Sequence, residues 1–169
     1  TERPITVRCR THKASLREIV TSLKSQGVTV EQAPYLPYAL KISDYNHILT
    51  LETFLQGKIL VQDVSSMLVA EAASPKKGDH IIDMCAAPGG KSIHAADKMG
   101  DYGNVDARGV SQYKADLIKE NIHRTGVINV EARVQDATVY DPDSEQAADI
   151  VIADVPCSGY GVIGKKPEI

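Results

Sequence analysis

The stretch His80-Ile81-Ile82-Asp83-Met84-Cys85-Ala86-Ala87-Pro88-Gly89-Gly90-Lys91 decides the fold. Its first five residues make a mostly apolar run of strand length, the next six are small or turn-forming, and Lys91 to Met99 reads as a helix. A buried strand that hands over to a helix through a glycine-containing loop opens a parallel, alternating β/α sheet. Downstream the alternation continues. A strand is expected near Asn104 to Arg108, then a helix capped by Ser111 that carries Ala115, Leu117, Ile118 and Ile122 and stops at Gly126. Residues 129–134 and 148–153 read as strands three and four. The chain is therefore expected to hold the first part of a doubly wound sheet, cut after strand four. Lys165-Lys166-Pro167-Glu168-Ile169 reads as the lead into a further element of a longer parent protein.

Upstream of the strand, Ser65 and Ser66 precede a short helix over residues 67–73 that Ser74-Pro75 closes. Residues 1–60 have a different texture. Ile5 to Cys9 alternates as a half-buried strand does, and Ser15 is placed to cap a helix with Leu16, Ile19, Val20 and Leu23 on one face, ended by Gly27. Val28 to Val30 and Ala39 to Ile42 read as strands around a turn at Pro34 to Pro37, and Ile48 to Leu55 is an apolar segment before Gly57. These features predict a small α+β unit over residues 1–60 and the leading part of an α/β domain over 61–169.

The 169 residues, 43% hydrophobic and 24% charged, are enough for an ordinary core and argue against disorder. No stretch reaches the ~18 uninterrupted apolar residues of a membrane span, and Thr1-Glu2-Arg3-Pro4 lacks a secretory signal's apolar segment, so a cytoplasmic protein is expected. Cys9, Cys85 and Cys157 form no Cys-x-x-Cys pair, and His12, His47, His80, His94 and His123 have no ligand spacing, so neither disulfides nor a metal site are expected. The net charge of −3 is uneven: residues 1–60 carry eight Lys/Arg against five Asp/Glu, and the remainder eleven against seventeen. The cluster Arg3, Arg8, Arg10, Lys13 and Arg17 then reads either as an RNA-facing arm or as a solvated face. Tyr35, Tyr38 and Tyr45 are candidates for stacking on RNA bases or for bracing the small unit.

Two motifs carry chemistry. In residues 85–91, small residues and two glycines let a ligand approach the backbone, and the helix that follows offers unpaired N–H groups. The pattern is neither the Gly-x-x-x-x-Gly-Lys-Ser/Thr phosphate loop nor the Gly-x-Gly-x-x-Gly fingerprint, which favours a cofactor without a polyphosphate. In Asp149-Ile150-Val151-Ile152-Ala153-Asp154-Val155-Pro156-Cys157-Ser158-Gly159, a buried strand delivers an acid, a proline and a thiol to its carboxyl end, where open α/β sheets bind ligands.

The chain resembles the RNA cytosine-5 methyltransferases of the Sun family, and within it the branch of bacterial 16S ribosomal RNA small-subunit methyltransferases. The shared residues are Val61-Gln62-Asp63-Val64-Ser65-Ser66, Cys85 to Lys91, Asp154-Val155-Pro156-Cys157-Ser158-Gly159, Gly161-Val162-Ile163 and Lys166-Pro167-Glu168-Ile169. The leading sixty residues are similar to that family's small RNA-binding subdomain, with Arg10 and His12 where Asn and Leu are expected. The resemblance implies a Rossmann-like, S-adenosylmethionine-dependent methyltransferase fold behind an RNA-recognition-like subdomain, with RNA as partner and a monomeric state. It implies that Cys85, Ala86, Ala87, Pro88, Gly89, Gly90 and Lys91 hold the methionine part, that Asp136 lies near the adenine, and that Asp154 faces both cofactor and base. Asp136 as a turn acid and Asp154 as a strand-end cap are the plainer readings. The acid expected for the ribose at the end of strand two is replaced by Gly109, and Asp106 lies off that register.

Carbon 5 of cytosine is a poor nucleophile, so a thiolate must add to carbon 6 before a methyl group can be taken, and a base must then remove the carbon 5 proton. Cys157 matches the family's release-assisting thiol, and the nucleophile of a later Thr-Cys motif has no counterpart in the 169 residues. A parent that methylates RNA and a fragment that cannot complete turnover are the expectation. An amino-group methyltransferase with an Asp-Pro-Pro-Tyr-type loop is disfavoured by Cys157, and a non-catalytic RNA-binding or ribosome-assembly module with a vestigial cofactor pocket is the alternative.

Overall fold

The computed structural model describes residues 4–100 and 102–156. The first unit runs β1 (Ile5–Cys9), α1 (Leu16–Ser25), β2 (Thr29–Gln32), β3 (Ala39–Ser43), α2 (Glu52–Leu55) and β4 (Ile59–Val61), and its antiparallel sheet has the order β2-β3-β1-β4. α1 starts where the sequence places its cap. The Glu18 backbone N–H donates to Ser15 Oγ at 3.2 Å, and the Ser15 N–H donates back to Glu18 Oε2 at 2.7 Å, so two N–H groups of the helix start are satisfied together. Ile19 and Leu23 on its buried face meet Val7, Leu40 and Ile42 of the sheet, each such side chain contributing about 1.5–3 kcal/mol on leaving water. β4 carries the first sheet through Val61, so the boundary expected at residues 60/61 falls inside a strand. The apolar stretch 48–55 is a 3-10 turn followed by the single-turn α2.

The second unit runs α3 (Val64–Ala73), β5 (His80–Asp83), α4 (Gly90–Met99), β6 (Asn104–Gly109), α5 (Gln112–Thr125), β7 (Val130–Val134) and β8 (Ile150–Ile152). Its sheet is parallel with the order β7-β6-β5-β8, so the chain steps outward from β5 through β6 to β7 and then returns to the other side of β5. That return creates the switch point at the carboxyl ends of β5 and β8, where open α/β sheets hold ligands. Ile81, Val105, Ala107 and Ile152 fill the core with Ala95, Ala96 and Ile118 of the helices. Ser65 and Ser66, expected to lie ahead of their helix, are inside the first turn of α3.

The units are joined by buried charge. Arg8 and Arg10 of the first unit, 2% and 1% exposed, converge on Asp97 of α4: Arg8 Nη1 donates to Oδ2 at 2.8 Å and Arg10 Nη2 to Oδ1 at 2.7 Å. Arg10 Nη1 also donates to the carbonyls of Gly57 and Thr125 at 2.9 and 2.7 Å. These two arginines therefore belong neither to an RNA-facing arm nor to a solvated face. β1 lies inside the sheet, with α1 packed on the side of Val7 and Cys9, so Arg8 between them points to the opposite side and into the second unit. Burial pushes the Asp97 carboxyl up, but the hydrogen bonds and charges of Arg10 and Arg8 outweigh it and hold the group below the usual carboxylate value. Close backbone approach completes the joint: a Cβ at Gly57 would lie 2.5 Å from the Arg124 carbonyl oxygen.

Candidate functional site

β5 ends at Asp83 and α4 begins at Gly90, so the loop between them is built on one strand and one helix. It is stitched to both neighbouring strands: the Met84 N–H donates to the Ile152 carbonyl and the Ala86 N–H to the Arg108 carbonyl, each at 2.9 Å. The Ala87–Pro88 bond is cis, and Gly89 adopts φ 106°, in the region that favours glycine. The Gly89 N–H closes the turn on the Ala86 carbonyl at 2.6 Å. The first N–H groups of α4 follow directly, which suits a carboxylate or other electronegative ligand group.

The loop opens into a cavity of about 710 Å³, within the ~300–1,000 Å³ of small-molecule sites. Cys85, Ala86, Ala87, Pro88, Gly90, Lys91 and Asp154 line it, so six of the seven expected loop residues and the strand-end acid are brought together. Gly89 stands behind as the turn. The opposite wall comes from the small unit, the connection and the first turn of α3, including Thr6, Gln62 and Ser66. Lys91 Nζ lies 2.6 Å from Asp154 Oδ2 and donates to Ser66 Oγ at 3.2 Å, which ties α4, the end of β8 and α3 at one point.

Asp83 sits beneath the loop, 1% exposed. Ser92 Oγ donates to its Oδ2 at 2.7 Å, and the Cys85 backbone N–H also supports the carboxylate. Burial pushes its carboxyl above the ordinary value, against the pull of Ser92 and of the Lys91 charge. Burial raises Cys9 to about 12, and Cys85 is raised by burial and by the carboxylates of Asp83, Asp154 and Asp136. Cys157 lies outside the described residues.

Asp136 does not line the cavity. It accepts from the Thr138 N–H at 2.9 Å and from Thr138 Oγ1 at 2.7 Å, bonds that hold its carboxyl below the ordinary value and make it the acid of a local turn. Asp106 is taken up by Arg108 at 2.7 Å and Arg133 at 3.2 Å. At Gly109 an added Cβ would meet Lys114 Cβ at 2.9 Å and the Ala115 nitrogen at 3.0 Å, so the first turn of α5 is seated where a side chain would stand. The tyrosines divide: Tyr45 is in the core, Tyr38 packs edge-on to His94 and donates to Glu71, and Tyr35 is exposed.

Among the described residues no three His, Cys, Asp or Glu side chains are grouped to hold a metal ion, and no helix is long and apolar enough to cross a membrane. Gln62 and Ser66 stand in the 61–66 motif without a role assigned there, and Asp83 and Ser92 are site residues to which the sequence assigns no role. Gln62 comes from the connection between β4 and α3, and Ser66 from the first turn of α3 packed along α4. Asp83 is signalled only as a carboxylate ending a short strand, and Ser92 as a hydroxyl nine positions on in the first turn of α4.

A probable ribosomal RNA small subunit methyltransferase B of Bacillus subtilis is 36% identical over 165 residues, covering 97% of this chain and 37% of that protein. A human 28S rRNA (cytosine(4447)-C(5))-methyltransferase is 32% identical over 169 residues, covering 99% of this chain and 21% of that protein. The chain thus spans well under half the length of these relatives. A methyltransferase homologue from Pyrococcus horikoshii superposes with a TM-score of 0.81 at 28% identity, covering 99% of this chain and 55% of that one. Residues 70–169 match the family model described as 16S rRNA methyltransferase RsmB/F, and the chain belongs to that family.

Proposed function

We propose that this chain is the cofactor-binding part of an S-adenosylmethionine-dependent methyltransferase that modifies carbon 5 of cytosine in RNA, with 16S ribosomal RNA as the substrate and the cytoplasm as its place of work. One observation carries the reading: the 85–91 loop, Lys91 and Asp154 converge on one cavity at the switch point of a parallel sheet. The residues fit the cofactor. The loop offers backbone and small side chains without a phosphate-binding pattern, α4 presents its N–H groups, and Lys91 and Asp154 supply one charge of each sign for an amino-acid moiety or a base. S-adenosylmethionine, when bound, supplies the electrophilic methyl group. The small unit, whose Thr6 reaches the cavity wall, is the side from which RNA enters.

In this reading Asp154 and Lys91 orient the base, Cys157 assists release once the methyl group has been transferred, and the nucleophilic thiol is supplied from outside the 169 residues. The placement of the other two cysteines supports that division, because Cys85 belongs to the cofactor loop and Cys9 is buried in the core of the small unit. The chain alone binds cofactor without turning over, and it works as a monomer. Gly109, packed on α5, favours a second reading in which the pocket is vestigial and the chain is an RNA-binding or assembly module.

Calorimetric titration of the 169-residue chain with S-adenosylmethionine separates the two. Saturable binding that is lost in Gly89→Val supports the methyltransferase, since any side chain at Gly89 is strained by its positive φ. RNA binding without cofactor binding supports the module. In the parent protein, a covalent adduct with 5-fluorocytidine RNA that survives Cys157→Ser supports the release role, and an adduct that depends on Cys157 overturns it.

A further inference from the structure

We propose that Ser66 is a positioning residue of the site: through its hydrogen bond to the Lys91 ammonium it fixes where that charge stands in the cavity. The proposal rests on the functional reading above and adds a residue to it. An ammonium has three donors. Lys91 donates to Ser66 Oγ at 3.2 Å and forms an ion pair with Asp154 at 2.6 Å, and all three residues line the same cavity. The hydrogen bond to Ser66 sets the direction of one N–H and leaves the others to face the cavity.

The two anchors differ in firmness. Asp154 follows β8 on a segment that is exposed along residues 153–156, and its side chain is 60% exposed, against 18% for Lys91. A long, flexible lysine paired to such a carboxylate keeps much of its rotamer freedom, because water and salt compete for both partners. Ser66 is different. It sits in the first turn of α3, a helix pinned by the fully buried Met67 and Ala70 and packed along α4, so its hydroxyl is a fixed point relative to the helix that carries Lys91. Ser66 acts through Lys91 and is assigned no direct chemistry.

The test uses the 169-residue chain. The Lys91 ammonium is followed by nitrogen-15 NMR, with its resonance assigned by its loss in Lys91→Met, while S-adenosylmethionine affinity is measured by calorimetry. The expected result is an ammonium signal that is visible in the wild type, exchange-broadened in Ser66→Ala and recovered in Ser66→Thr, which keeps the hydroxyl. Cofactor affinity should fall about five-fold in Ser66→Ala, the size of one hydrogen bond, and the same change should have no effect in a Lys91→Met background. An ammonium signal identical in wild type and Ser66→Ala overturns the proposal. So does a five-fold loss that persists without Lys91. A wild-type chain that binds no S-adenosylmethionine refutes the functional reading instead, and the NMR series still decides the role of Ser66.

Discussion

Lys91 and Asp97 stand six residues apart on α4, and each is bound by an opposite charge from another element, yet the two pairs do opposite work. Asp97, with 6% of its side chain exposed, is held by two arginines that are themselves 3% and 1% exposed. Lys91 meets a carboxylate that is 60% exposed at the mouth of a cavity. The first arrangement is costly to open, because each partner removed leaves a charge in low dielectric. The second can exchange partners at little cost, as a site that admits a ligand requires. One helix thus carries a fixed end that clasps the small unit and an adaptable end that faces the chemistry.

The largest effect that tests this contrast is on stability. Asp97→Leu leaves the Arg8 and Arg10 guanidiniums buried without their carboxylate, with Arg8 Nη2 already unpartnered, and should cost about 3–5 kcal/mol in urea unfolding. Arg10 keeps its bonds to the Gly57 and Thr125 carbonyls, which places the loss toward the lower end. A loss under about 1 kcal/mol would mean that the clasp is no firmer than an exposed pair, and the contrast would fail.

A second test is the pH dependence of stability. His94, between the two ends of α4, is 3% exposed, and burial together with the Arg8 charge lowers it from 6.5 to about 3. Glu71 and Asp97 oppose that shift and Lys98 adds to it. Because the folded state resists the proton that the unfolded state accepts, stability is full above pH 6.5 and falls as the pH drops from there toward 3. The slope is one proton's worth, about 1.4 kcal/mol per pH unit. His12, near Asp97 and also lowered, adds a smaller contribution of the same sign, and Asp97 itself contributes only below its ordinary value of 3.8. Acid unfolding midpoints of wild type and His94→Leu check it: the variant should lose most of the slope between pH 6.5 and 4.

How much of this was legible follows the same division. Local signals were readable: Ser15 and Ser111 cap α1 and α5, Gly126 ends α5, and the 85–91 loop lies between a strand and a helix as its pattern requires. Each depends on a few neighbouring residues. Charge was not readable, since Arg8 and Arg10 look like an exposed basic run until β1 is seen between α1 and α4. Asp136 and Ser66 share a related reason: whether an acid closes its own turn or a hydroxyl meets a lysine 25 residues away depends on packing that spacing does not encode.

Gly109 sharpens the comparison from the cofactor side with an effect of about 1–2 kcal/mol. Gly109→Asp pushes a Cβ to 2.9 Å from Lys114 Cβ, so the first turn of α5 must shift by a few tenths of an ångström, and thermal unfolding should show a modest loss of stability. If the site holds a ribose, the new carboxylate should tighten S-adenosylmethionine by about ten-fold, the value of a charged hydrogen bond. Destabilisation without tighter binding would separate the strand end from the cofactor site.

The smallest effect is the one on which the contrast finally depends. Lys91→Met removes the cavity-mouth pair while keeping an unbranched side chain of similar reach, and its stability should stay within about 0.5 kcal/mol of wild type, because the partner carboxylate returns to water. In a double-mutant cycle with Asp154→Ala, the coupling should also fall below about 0.5 kcal/mol and should shrink further with added salt. S-adenosylmethionine affinity should nonetheless drop in Lys91→Met, although folding barely registers the change. If the variant instead unfolded as readily as Asp97→Leu, Lys91 would be a second clasp and the cavity would have no adaptable wall on that side. A residue that matters to the ligand and hardly at all to the fold is the signature expected of α4's open end.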